Sequence, residues 1–97
     1  MDFFLNSVKD TLDAINKLIE SNVNVVNTKR VRRCLNIKSS DRSKINFIWR
    51  SLKFLEEQGI LSPNGITNPK TYKILSDQKI GVDTFISQIR KGKKRLP

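Results

Sequence analysis

The stretch NTKRVRRCLNIKSSDRSKINFIWRSLKFLEEQGIL, residues 27–61, decides the fold. Its pivot is Leu35-Asn36-Ile37, a polar residue between two apolar ones, flanked on both sides by helical periodicity. Thr28 suits an N-cap, and the spacing predicts a helix over Lys29–Leu35 that buries Val31, Cys34 and Leu35. The turn after it needs one residue near the left-handed region. Glycine is usual there, and Asn36 is the next most tolerant choice. Ile37 then drops back toward the core. Ser39 or Ser40 caps the next helix, with Asp41 in its first turn, where a negative charge favours the helix dipole. That helix runs from about Asp41 to Gln58, and Gly59 is a natural stop.

The longer helix has two faces. With Ile45 as reference and about 100° per residue, Ile48, Trp49, Leu52 and Leu55 fall within about 80° of it and form the expected buried arc. The arc on one side of it, about 60–160° round from Ile45, collects Arg42, Ser43, Asn46, Arg50, Lys53 and Glu57, with no apolar residue among them. Phe47 and Phe54 fit neither arc. They are expected to pack on the hairpin strands, on the preceding helix, or on a second subunit.

Upstream, Phe4, Val8, Leu12, Ile15 and Ile19 recur at three- and four-residue spacing, widened by Leu5 and Leu18. This predicts a helix from about Phe3 to Ser21, with Asp10, Asp13 and Glu20 facing away. The link from Asn22 to Asn27 holds a short strand at Val23–Val26. Downstream, Ile60-Leu61 reads as a strand. Ser62-Pro63-Asn64-Gly65 and Asn68-Pro69 carry turn chemistry, and Thr71–Leu75 reads as the returning strand. Residues 60–75 thus form a hairpin with a long polar tip. Gly81 interrupts the chain. Val82, Phe85, Ile86 and Ile89 then mark a last helix from about Val82 to Arg90, and residues 91–97 form a basic tail. The fold class is mainly α with a small β-hairpin, as a single domain over residues 1–90.

The chain has 97 residues, enough for one modest core. Its 19 Lys+Arg against 9 Asp+Glu give a net charge of +10. Clustering says more than the total. Residues 1–28 carry net −2, residues 29–44 net +6, residues 45–59 balance, residues 60–81 carry +2 and residues 82–97 carry +4. A merely solubilising surface would intersperse the signs, whereas a clustered one suits a polyanion. Nucleic acid is the first expectation and an acidic membrane surface the second. No apolar run is long enough to span a bilayer. The start, Met-Asp-Phe-Phe-Leu-Asn, lacks a basic segment, so no signal peptide is expected. Cys34 is alone, so no internal disulfide forms, which fits a reducing compartment.

Catalysis is not expected. There is no His, which removes the commonest general base and metal ligand. One Cys does not build a structural zinc site, and no Gly-rich phosphate loop appears. Glu56 and Glu57 are adjacent on a helix and diverge. No catalytic residue, metal or cofactor is assigned, and no small-molecule ligand is evident.

Asn27–Leu61 resembles the winged-helix DNA-binding superfamily through the LNI turn, the capped helix after it and LKFLEEQGIL leading into the hairpin. The stretch SKINFIWRSLKFLEEQGIL is similar to small crenarchaeal winged-helix proteins, including chromatin-associated proteins, PadR-type regulators and plasmid partition centromere-binders. The resemblance implies a winged helix-turn-helix whose third helix enters the major groove, whose hairpin is a wing along the backbone, and whose members are commonly dimers. Residue types agree for the third helix, because Arg reads guanine and Asn reads adenine. Arg42, Ser43, Asn46 and Arg50 are the expected groove contacts, with Glu57 and Lys53 too far along to touch bases. Ser39, Ser40 and Lys44 at the helix start suit phosphates, as do Lys29, Arg30, Arg32 and Arg33 before the turn. The wing contacts implied are Asn64, Asn68, Lys70 and Lys73. The wing tip lacks Arg, which counts against deep minor-groove insertion. Double-stranded DNA is the expected partner. A homodimer is expected through the first and last helices, at Phe3, Phe4, Val8, Phe85, Ile86 and Ile89. The roles that follow are transcriptional regulation or DNA partition in the cytoplasm, on nucleoid or plasmid DNA. The alternatives are chromatin-type compaction, RNA binding or a protein-interaction module.

Overall fold

The computed structural model describes residues 3–67 and 70–90. The order of elements is α1 (Phe3–Glu20), β1 (Val25–Val26), α2 (Thr28–Cys34), α3 (Arg42–Glu57), β2 (Leu61–Thr67), β3 (Lys70–Ile74) and α4 (Val82–Arg90). The three strands form one antiparallel sheet in the order β1-β3-β2. The architecture is therefore mainly helical with a small hairpin, plus one short strand that completes the sheet from the link between α1 and α2.

The helix ends follow from local chemistry. Asn22 and Asn36 take positive φ of 59° and 56°, and Gly59 takes 80°. At each, the two N–H groups beyond the helix turn back onto its last carbonyls. After α1, Asn22 N donates to Ile19 O and Val23 N to Leu18 O; after α2, Asn36 N donates to Arg33 O and Ile37 N to Arg32 O. After α3, Gly59 N donates to Glu56 O and Ile60 N to Leu55 O. All three are Schellman ends, which satisfy carbonyls that would otherwise lack partners. Each also turns an apolar residue (Val23, Ile37, Ile60) back against the core.

Both expected N-caps shift by one or two residues. Asn27, not Thr28, caps α2: its extended backbone lets its Oδ1 accept from Arg30 N at 2.9 Å. Asp41, not Ser39 or Ser40, caps α3, accepting from Lys44 N at 3.3 Å. A carboxylate serves both as acceptor and as charge complement to the helix dipole. The serines stay exposed in the turn before it.

The hairpin also differs from expectation. Ser62-Pro63-Asn64-Gly65 does not turn the chain. Ser62 and Pro63 pair with Lys73 and Tyr72, and the ladder resumes at Thr67 opposite Lys70 after an irregularity. Gly65 absorbs the extra residues at φ 89°, and Asn64 Oδ1 accepts from Ile66 N. Pro63 is tolerated because β2 is an edge strand and owes no N–H to a further neighbour. β3 ends at Ile74; Leu75 N still donates to Ile60 O at 3.1 Å, while its side chain is exposed.

The core joins all four helices and the inner face of the sheet, with α2 contributing Val31. Val8, Leu12, Ile15, Val31, Ile48, Leu52, Phe54, Leu55 and Tyr72 are among its buried members. Cys34 and Leu35, expected to be buried, are only half-buried at its margin. The loop before α4 is clipped to α1 by one side chain. Asn16 Nδ2 donates to Ile80 O at 3.0 Å, and its Oδ1 accepts from Ile80 N at 2.8 Å.

The largest departure concerns the face of α3. Its buried residues are Ile48, Ser51, Leu52, Phe54 and Leu55. The buried arc is therefore rotated from the expected one, toward Phe54. Phe54 is fully buried between Phe4 and Phe85, with ring centroids 5.8 and 6.3 Å away in edge-to-face geometry. Ser51 Oγ lies in the same interface, bonded to Phe47 O at 2.8 Å and to Ser7 Oγ at 3.0 Å. Ile45 is only half-buried, and Trp49 is 47% exposed. The reason is tertiary: α1 and α4 supply Phe4 and Phe85 on the Phe54 side, and these three rings outcompete the indole for the interior.

Candidate nucleic-acid interface

The rotation resets which α3 side chains meet solvent. Arg42, Ser43, Lys44, Asn46, Trp49, Arg50 and Lys53 are exposed. Arg42, Asn46, Trp49 and Lys53 follow one another at four-, three- and four-residue steps, so they share one stripe. Lys53 Nζ lies 5.8 Å from the centre of the Trp49 ring. The face that the spacing left purely polar thus carries one large aromatic side chain.

Arg50 is exposed but not free. Its guanidinium sits 5.3 Å from the Phe4 ring centre and 5.8 Å from that of Phe47, so it folds toward α1. A cation over a ring face is attracted by the ring quadrupole. Arg50 must leave two rings to reach a ligand in front of the helix, whereas Arg42 and Asn46 have no such contacts among those resolved. Lys44 is mostly solvent-facing and pairs loosely with Asp41 at 3.9 Å.

The second contributor is α2 and the turn after it. Lys29, Arg30 and Arg33 are exposed. Arg32 differs: it is half-buried, and its Nη1 donates to Ile37 O at 3.1 Å. It braces the turn between α2 and α3 from inside. Lys38, exposed in that turn, belongs with the cationic set, although the helix-centred reading omitted it. Ser39 and Ser40 are exposed beside it. The signal for Lys38 was its position within the +6 segment.

The hairpin offers little. Asn64 is exposed, and Asn68 lies outside the described residues. Lys70 is exposed but engaged, 3.8 Å from Glu56 of α3 and 5.3 Å from the Tyr72 ring centre. Lys73 alternates with Tyr72 and Ile74 along β3, so it projects from the outer face of the sheet. The basic residues of the tail, 91–97, also lie outside the described residues.

Most of the residues expected at a dimer interface lie in the chain's own core. Phe4, Val8, Phe85 and Ile89 are buried, and Ile86 is half-buried. Phe3 alone of the six is open, at 66% exposure. It rims a groove of about 610 Å³ between the start of α1, the Leu35–Ile37 turn and the start of α3. Phe47, Leu35, Ile37 and Ile48 give it an apolar floor. Asp10 lies on its edge, and its carboxyl is held above the ordinary carboxylate range, chiefly by partial burial and then by the like charge of Asp13. Lys9 and Lys44 offset part of that.

Among the described residues no cluster of His, Cys, Asp or Glu is arranged to hold a metal ion. No described helix is long and apolar enough to cross a membrane. Cys34 is a free, half-buried thiol. Compared with known protein families, curated protein sequences and solved structures, the chain matches none.

Proposed function

We propose that this chain is a winged helix-turn-helix protein that binds double-stranded DNA, laying the N-terminal half of α3 in the major groove. The observation that carries this reading is the exposed stripe of Arg42 and Asn46 on α3, continuous in sequence with exposed Lys29, Arg30, Arg33 and Lys38. Arg and Asn carry the donor patterns that match guanine and adenine edges, and the flanking cations suit phosphates. The order of elements supports it too. A short strand between α1 and α2 pairs with a hairpin that follows α3, which suits a wing beside a recognition helix. With Lys70 drawn onto Glu56, the hairpin is a weak backbone clamp and α2 is the main one.

The test is duplex DNA binding by fluorescence anisotropy across a salt series. A site that neutralises about six phosphates loses on the order of 10³ in affinity between 50 and 200 mM salt. Arg42→Ala with Asn46→Ala should weaken binding at every salt concentration. Absence of binding at 50 mM salt, or binding indifferent to salt, refutes the proposal. A footprint then separates the roles. One short protected palindrome means a regulator, and a spreading ladder means partition or compaction on nucleoid or plasmid DNA in the cytoplasm.

One observation favours a second reading, a protein-interaction module: the apolar groove rimmed by exposed Phe3. Apolar association is nearly insensitive to salt, so the same titration discriminates. The homodimer we propose rests on exposed Phe3, with the half-buried Ile86 at the margin of the core. Sedimentation as a monomer at micromolar concentration overturns it.

A further inference from the structure

We infer that Trp49 contacts thymine methyl groups in the major groove, so that the duplexes this chain prefers carry A·T pairs under the middle of α3. The inference rests on the DNA-binding reading above and adds a preferred class of sequence to it.

Trp49 is the chain's single tryptophan, and nearly half of its surface is open to solvent. A side chain of this size is normally found covered, because its ring carries a large apolar area. Phe54, not Trp49, is the aromatic residue of α3 that is fully buried. The indole stands among polar groups. Arg42 and Asn46 precede it on the same stripe, and Lys53 follows with its ammonium 5.8 Å from the ring centre. It does not line the apolar groove beside Phe3, so it is no extension of that surface. A large ring set singly among cations suits a polyanion with an apolar feature within reach.

In the major groove of B-DNA only one base presents such a feature, the C5-methyl of thymine. The other edges there show hydrogen-bond donors and acceptors. Asn46 lies three residues before Trp49, nearly one helical turn away. Asn matches adenine bidentately. Both side chains therefore favour A·T pairs at neighbouring positions. Lys53, over the ring, lies where it can meet a phosphate while the indole edge meets the methyl.

The experiment uses the full chain with three duplexes of equal length: alternating A·T, the same duplex with deoxyuridine replacing thymidine, and alternating G·C. Deoxyuridine removes the methyl and leaves the hydrogen-bond pattern intact. The expected result is tighter binding to the thymidine duplex by about fourfold for each methyl contacted, the value of one buried methylene-sized group. Trp49 emission should quench or shift with the thymidine duplex. Trp49→Ala should bind the thymidine and deoxyuridine duplexes equally. If Trp49→Ala proves unstable, Trp49→Phe keeps a ring in place, and retention of part of the thymidine preference supports the contact. Binding to all three duplexes without a thymidine preference, or unchanged Trp49 emission on binding, overturns this inference and leaves the DNA-binding reading standing. Absence of binding to any duplex overturns both.

Discussion

Replacing Phe54 and Trp49 by alanine, one at a time, tests how α3 is seated. Phe54 is 0% exposed and touches the rings of both Phe4 and Phe85, so it links α3 to α1 and α4. Removing a fully buried Phe costs about 3–5 kcal/mol, including the cavity left behind. Two edge-to-face partners place Phe54→Ala toward the upper end of that range. A domain of this size holds about 5–15 kcal/mol in total, so this single change takes a large share of it. The melting temperature should fall by roughly 15–30 °C. Trp49 is different. Much of its ring is already wet, and its one resolved ring contact, with Lys53, is a surface cation–π contact of about 0.5–1 kcal/mol. Alanine also has the higher helix propensity, which offsets part of the loss. Trp49→Ala should cost about 0–1 kcal/mol. The assay is urea unfolding followed by far-ultraviolet circular dichroism, since Trp49→Ala removes the fluorophore. The slope with urea should be unchanged for Trp49→Ala. Phe54→Leu provides a milder companion if Phe54→Ala fails to fold. Equal costs for the two alanine variants, or a larger one for Trp49→Ala, refute the rotated seating of α3.

Further outcomes follow from single residues. Asn36 sits at φ 56° in the Schellman end of α2, so Asn36→Gly should be neutral or stabilising while Asn36→Ala costs about 1 kcal/mol by chemical denaturation. Thr11 is fully buried, and its hydroxyl has no hydrogen-bond partner among the described residues. Thr11→Val should therefore raise stability by about 1 kcal/mol, since it removes an unsatisfied polar atom at constant shape. Asp10 has a raised carboxyl pKa, so the folded state holds its proton more tightly than the unfolded chain does. Stability is therefore lost as pH rises from the ordinary carboxylate value of 3.8 through the raised one. Asp10→Asn should stabilise at pH 7 and give no gain at pH 3, read from paired thermal melts.

Several features of this chain were legible from nearest neighbours. Asn36 as the left-handed residue, Gly59 as the stop of α3 and Gly81 before α4 were all readable. So were the bounds of α1 and α4 to within a residue. Each depends on backbone sterics and hydrogen bonds spanning at most five residues, and that information is contiguous in the chain. The caps at Asn27 and Asp41 fell one or two positions from expectation because several cap-capable residues stand side by side: Asn27 beside Thr28, and Ser39, Ser40 and Asp41 in a row. Local chemistry allows any of them.

What pattern alone did not decide is the rotation of α3. Ile45, Ile48, Trp49, Leu52 and Leu55 make one apolar arc, and Phe47, Ile48, Leu52, Phe54 and Leu55, with small Ser51 between them, make another. Periodicity favours neither. Phe4 and Phe85 decide between them, and they lie far from α3 in sequence. The same long-range packing draws Arg50 onto Phe4 and Lys70 onto Glu56. Cations that count equally in the net charge of +10 thereby differ in whether they also engage the protein itself. Composition determined that a polyanion is the expected partner, because charge adds up wherever it lies. Only the tertiary structure decided which side chains stand open to meet it, because a side chain's contacts depend on what the rest of the chain brings beside it.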